Sequence, residues 1–357
     1  MKITLSGFAR FLVAWILLLI LFGGQVKSTN SGLSVPDWPN TYGHFMFSFP
    51  WDQMVGGIFW EHSHRMIASL AGIFTFVLTW WVLRTDQRKW VRQVAIWSSV
   101  VVLVQGALGG MTVLYNLPTW ISSSHGTLAQ IYLCLVLTIA AATGAGWNQN
   151  PTNRNDSPGV GLRSLVLATT LTIFCQLILG AVMRHSEAGL VIPDFPTMFG
   201  SWVPPLTSDR LAFANQELWR MNLMYKIGLQ EVTMGQIVIH LLHRLGAVAV
   251  TVMIVWTFVK VRREQAQNRM FVRPAEGLLW LLMIQVTLGI LTILTEKQPE
   301  VTTLHVVTGA ITLAVSFLLT LRVRHQLVPP SNQPTTMTVQ AKEGQAKEGQ
   351  AKEGVAA

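Results

Sequence analysis

Four histidines, His64, His125, His243 and His305, interrupt stretches of sequence that are otherwise apolar. An imidazole in hydrocarbon is costly, and it marks a functional site unless it merely bonds two helices together. Neutral imidazole supplies a nitrogen ligand, and two of them on facing helices suit the axial positions of one haem iron. Zinc asks for three or four donors. His62 points away from His64, whereas His240 shares a helix face with His243 and leaves a second metal reading open in the C-terminal half. Glu61 stands one turn before His64 on the same face, where a carboxyl could pass a proton or stabilise a developing positive charge. A span-end glutamate is otherwise just a solvated helix-terminal carboxylate, so this role rests on the pairing with His64. His240 takes the corresponding place before His243, so the halves differ where acid–base work would be done. Arg65 and Arg244 directly follow His64 and His243, and each could pair with a haem propionate or simply snorkel to the interface.

The elements that carry these residues follow from composition. Of 357 residues, 51% are hydrophobic and only 12% charged, against about a quarter charged in a soluble domain. Apolar runs near the length of a bilayer span predict eight transmembrane helices, near 8–26, 61–83, 91–114, 120–142, 165–183, 236–259, 277–295 and 301–321. The chain is therefore expected to be an all-α integral membrane protein, with both termini on one side. The net charge of +9 does not indicate nucleic acid, because the basic residues fall in alternate gaps: fifteen Lys and Arg on the side of the termini against six on the other. That asymmetry places the termini in the cytoplasm, or in the matrix of an organelle. Cys134 and Cys175 sit inside apolar runs and read as small buried residues.

The chain is internally duplicated. Ser31–Gly43 (SGLSVPDWPNTYG) is matched by Ala188–Gly200 (AGLVIPDFPTMFG) 157 residues later, without a gap. Glu61–Arg65 is matched by His240–Arg244, His125 by His305, and a Gln-x-x-Leu-Gly pattern recurs at Gln105–Gly109 and Gln285–Gly289. Each repeat holds four spans, so the halves share one orientation and are expected as two tandem, pseudo-symmetric four-helix bundles about an axis along the membrane normal. Such bundles hold cofactors between facing helices, which predicts one bis-histidine haem in each. The repeat also argues that the first span is retained rather than cleaved as a signal peptide.

The expected organisation is an N-terminal bundle over 1–146, a cytoplasmic linker rich in Asn, Pro and Gly over 147–162, a C-terminal bundle over 163–325 and a low-complexity, disordered tail over 326–357. The Pro-Asp-Trp-Pro and Pro-Asp-Phe-Pro segments are stiff and suit lids over the bundles. Most of the aromatics that follow the first, Tyr42 to Trp51, suit an interfacial belt. Asp37 and Asp194 are expected to bond local backbone.

On these motifs, Glu61-x-x-His64-Arg65, His125, His243-Arg244 and His305 on eight spans in two repeats, the sequence resembles the haem A synthase family over roughly 8–321. The resemblance implies oxidation of the ring methyl of haem O to a formyl group by successive hydroxylations. It implies that the N-terminal bundle, with His64, His125 and the catalytic Glu61, takes the substrate haem, and that His243 and His305 hold a permanent haem b. It further implies haem O synthase and an unspecified electron donor as partners, a bacterial cell membrane ahead of a mitochondrial inner membrane, and cytochrome oxidase assembly as the setting, with self-association into a homo-oligomer left open. Some members carry a cysteine pair in an outer loop; this chain resembles the branch without it. The residues alone also fit a di-haem b-type electron-transfer cytochrome linked to quinone, or a haem carrier without turnover.

Overall fold

The computed structural model describes residues 4–145, 147 and 158–325. The expected tail and most of the expected linker lie outside these residues. Among the described residues there are ten α-helices and no strand beyond two isolated bridges.

Eight of the helices are long and apolar enough to cross a membrane: α1 (Leu5–Ser28), α2 (Gly56–Thr85), α3 (Lys89–Leu114), α4 (Thr119–Ala142), α5 (Val160–His185), α8 (Met234–Glu264), α9 (Arg269–Leu294) and α10 (Pro299–His325). The chain is a multi-pass membrane protein. The helices overrun the apolar runs because a hydrogen-bonded backbone continues past the hydrocarbon boundary into polar termini. The shortest, of 24 residues, rises about 36 Å, enough for a core of roughly 30 Å. Local chemistry sets several starts. Thr4 accepts from Gly7 N–H ahead of α1, Asp86 accepts from Arg88 N–H ahead of α3 at 2.9 Å, and Thr233 with Gln236 closes a capping box on α8.

Neighbouring helices close two rings. In the first, α1 packs on α2, α2 on α3, α3 on α4 and α4 back on α1; in the second, α5, α8, α9 and α10 do the same. The rings meet through α1 against α10, α4 against α5, and α4 against α10. Exchanging the halves turns the first of these contacts into the second and the third into itself, which is the pattern of a two-fold axis between bundles. Each ring buries its own apolar core, around Leu12, Ile16, Leu78 and Leu133 in the first and Val166, Ile254, Phe271 and Leu278 in the second. Large side chains also point outward: Trp80, Trp97, Trp256 and Trp280 are all more than half exposed, as lipid-facing residues of a span should be.

Two further helices, α6 (Ser208–Arg220) and α7 (Leu223–Ile227), lie between α5 and α8 and have no counterpart in the first half. Leu218, Leu223, Met224 and Ile227 join Leu190, Ile192 and Ile237 in a separate apolar cluster that caps the second bundle from outside.

Candidate haem sites

Each of the four histidines sits against a glycine of the helix before it. A methyl group in place of the glycine hydrogen would stand 2.9 Å from His64 Cε1 at Gly23, 3.3 Å from His125 Cε1 at Gly109, 3.1 Å from His243 Cε1 at Gly180 and 3.1 Å from His305 Cε1 at Gly289. Real Cβ contacts are essentially never under 3.0 Å and rarely under 3.4 Å. The imidazoles therefore lie tight against the glycines: a side chain at Gly23 would force a shift, and at the other three it would push the ring by a few tenths of an ångström. His64 and His125 stand on α2 and α4, opposite helices of the first ring, and His243 and His305 on α8 and α10, opposite helices of the second.

The rings are held mainly by packing. Nδ1 of His64, His125 and His305 is enclosed without a hydrogen-bond partner among the described residues, although each side chain remains only part-buried. A buried polar atom left unpaired is costly, so these nitrogens are not explained by hydrogen bonding between helices. Two neutral imidazoles per ring match a metal that draws its other four nitrogens from a porphyrin. They do not match zinc: no group of three or more His, Cys, Asp or Glu side chains able to hold a metal occurs among the described residues. His240 is instead 2% exposed and bonded through Nδ1 to the Ala188 carbonyl at 2.9 Å. His62 shares a 2.9 Å hydrogen bond with Thr41 Oγ1. Cys134 and Cys175 are free thiols on α4 and α5, the first part-buried and the second exposed.

Arg65 and Arg244 reach the loops outside the membrane. Arg65 Nη1 donates to the carbonyls of Asp37 at 2.6 Å and Asn40 at 3.0 Å, and Nη2 to that of Val35 at 2.8 Å. Arg244 repeats this at the matching positions, to Asp194 at 2.6 Å, Thr197 at 2.9 Å and Ile192 at 3.1 Å. Both guanidinium groups are thus engaged in pinning a Pro-Asp loop to the helix below. Among the described residues Arg244 Nε is enclosed without a partner.

The aspartates close the loops locally, as expected. Asp37 accepts from the N–H groups of Tyr42 at 2.8 Å and Gly43 at 2.9 Å, and Asp194 from those of Phe199 at 2.6 Å and Gly200 at 2.9 Å. Gly43 and Gly200 have φ of +76° and +71°, a left-handed turn that glycine adopts freely. Burial works against ionisation of both carboxyls, but these donors outweigh it, joined by the Arg65 charge at Asp37 and the Thr197 hydroxyl at Asp194, and hold both below the usual carboxylate range.

Glu61 is 3% exposed. Its Oε1 accepts from Arg65 Nη2 at 2.7 Å and its Oε2 from Val35 N–H at 2.8 Å. The first loop is also tied inward by Trp38: a methyl on Gly110 would stand 2.6 Å from its indole ring. Trp38 thus lies on α3 beside Gly109, the seat of His125.

The model of the cytochrome oxidase assembly proteins, COX15-CtaA, matches residues 7–317. The chain belongs to this family. Relatives named haem A synthase come from several bacteria. The one from Rhodopseudomonas palustris strain HaA2 is 25% identical over 339 residues, covering 85% of this chain and 86% of its own length. That of Halalkalibacterium halodurans is 22% identical over 308 residues, covering 85% and 91%. That of Symbiobacterium thermophilum is 27% identical over 198 residues, covering 54% of this chain and 63% of its own. The family match runs from within α1 to within α10 and includes all four histidines.

Proposed function

We propose that this chain is a haem A synthase that converts haem O to haem A for cytochrome oxidase assembly. The observation that carries this is an asymmetry between the two pockets: Glu61, a carboxylate, lies one turn from His64, while the matching residue before His243 is His240, an imidazole tied to a backbone carbonyl. The family and the shared name of its relatives agree with it.

In this reading His64 and His125 hold substrate haem O in the first bundle, and His243 and His305 hold a resident haem b in the second. The resident haem supplies one-electron redox chemistry beside the substrate pocket. Gly23, Gly109, Gly180 and Gly289 leave the imidazoles room to approach their rings. Glu61 stands within one turn of a substrate ligand, ready to move a proton or offset positive charge while the methyl group is oxidised in successive hydroxylations. Arg65 fixes that carboxylate and, with Asp37, holds the Trp38 loop over the pocket against water. Arg244 does the same for the second loop, and its free Nε–H is the donor left for a propionate. Haem O synthase and an electron donor are the partners this activity requires, and self-association is compatible with it. The excess of basic residues on the side of the termini supports a cytoplasmic placement of both termini, in a bacterial inner membrane.

The test is to express the chain with a source of haem O and separate the extracted haems by chromatography. Haem A that appears with the parent chain and disappears in Glu61→Gln, His64→Ala and His125→Ala supports the reading. Unchanged haem O with a reversible b-type spectrum supports an electron-transfer cytochrome instead.

A further inference from the structure

The four histidine seats are built from one pattern, and one of them is incomplete. Glutamine stands four residues before the seat glycine on α3 (Gln105–Gly109), α5 (Gln176–Gly180) and α9 (Gln285–Gly289), each run ending in Leu-Gly. Four residues apart on a helix is one turn on one face, so glutamine and glycine meet the same histidine. Glutamine Nε2 donates to the backbone carbonyl of His125 at 2.9 Å, of His243 at 2.8 Å and of His305 at 3.0 Å. At His243 it also lies 3.1 Å from Nδ1. The glycine leaves the ring its place while the glutamine ties the histidine's own backbone to the neighbouring helix.

On α1 the seat glycine remains but the glutamine does not. Leu19 stands where α5 has Gln176, at the same separation of 157 that relates Gly23 to Gly180. The facing helix has changed with it. Gly246 of α8 is where the Gln176 amide packs, since a methyl there would stand 2.0 Å from Oε1; the matching residue of α2 is Ile67, at the separation of 179 that relates His64 to His243. The hydrogen bond from α1 to α2 is made elsewhere, from Trp15 Nε1 to the Ile67 carbonyl at 3.0 Å.

We infer that Gln105, Gln176 and Gln285 are positioning residues for three of the histidines and that His64, whose backbone carbonyl no glutamine among the described residues ties to the helix before it, is the ligand that yields. The inference rests on the bis-histidine reading above. The first pocket then has one firm ligand and one yielding one, which suits a haem that must enter and leave, while the second has two firm ligands, which suits a haem that stays.

The test uses carbon monoxide, which binds reduced haem only where an axial ligand gives way. His243→Ala/His305→Ala and His64→Ala/His125→Ala variants of the full chain, purified with haem, isolate each pocket in turn. The expected result is a CO-reactive first pocket and a second pocket severalfold less reactive. In the first-pocket background, Leu19→Gln with Ile67→Gly should lower CO reactivity severalfold by completing the seat. In the second-pocket background, Gln285→Leu should raise it at unchanged Soret intensity. Should Gln285→Leu fail to fold, the completed seat in the first pocket still decides. Equal CO reactivity in the two pockets, or none of the seat changes moving it, overturns the inference while leaving the haem ligands in place. A parent chain that takes up no haem overturns the reading beneath it and the inference together.

Discussion

Glu61 and Arg65 grip the same residue from two sides: the Glu61 carboxylate takes the Val35 N–H at 2.8 Å, Arg65 takes the Val35 carbonyl at 2.8 Å, and the two side chains meet at 2.7 Å. The proposed catalytic carboxylate is therefore also a structural tie between α2 and the loop above it. Removing Arg65 strands a buried carboxylate and frees three loop carbonyls, whereas Glu61→Gln keeps an acceptor for Val35. Arg65→Ala is expected to cost about 3–5 kcal/mol, the range for breaking a buried ion pair. Glu61→Gln should lower the thermal midpoint in detergent far less, yet abolish haem A. Equal destabilisation by the two would make Glu61 a structural residue only.

The loop aspartates give a pH dependence of known sign. Asp37 and Asp194 ionise more readily in the folded chain than their ordinary value of 3.8, so the stability they add is complete above that value and is lost as pH falls through the lower folded ones. Asp37→Asn and Asp194→Asn should flatten this acid limb. Limited proteolysis of the two loops against pH in detergent measures it, and an acid limb unchanged in both variants would rule the aspartates out as its source.

Gly110 exists to receive Trp38. Gly110→Leu improves helix propensity but takes the volume of the indole, so α3 should stay folded while the loop lifts. Hydrogen exchange over residues 35–43 should rise and haem A yield should fall. Exchange equal to that of the parent would mean that the contact does not hold the loop.

At the outer end of the bundle interface, Glu187 receives both Lys27 of α1 and Lys297. Burial opposes its ionisation, but the two ammonium groups, Lys297 foremost, hold it below the usual glutamate range. Arg184 reinforces the same corner, donating to the Gly24 carbonyl at 2.6 Å and Ser28 Oγ at 2.7 Å. Glu187→Gln should cost about 1 kcal/mol, since all three partners are partly exposed. High salt should shrink the difference between parent and variant, as thermal melts at two ionic strengths can show.

The spans and the duplication could be read from the sequence because each rests on a local signal: apolar length and a constant separation. The role of Asp37 was legible for the same reason, since its partners lie five and six residues on. What Arg65 and Arg244 touch was not. Their partners are backbone carbonyls of loops about thirty and fifty residues away in sequence, and any residue type offers a carbonyl. The helices α6 and α7 escaped because neither is long enough or apolar enough to give a span signal. The histidine seats were half visible: Gln105–Gly109 and Gln285–Gly289 were recognised as a repeat, but Gln176–Gly180 has Leu19 at its matching position, so comparing the halves does not reveal it, and its role appears only when α5 is set against His243.

The four imidazoles are proposed to work as two pairs, each holding one iron porphyrin. Haem content and low-temperature electron paramagnetic resonance of the purified parent and the four single His→Ala variants test it directly. Two such pairs give low-spin haem in both pockets of the parent. His243→Ala and His305→Ala should each disturb one signal, and His64→Ala and His125→Ala the other. Four variants with the pigment and spectrum of the parent would contradict it.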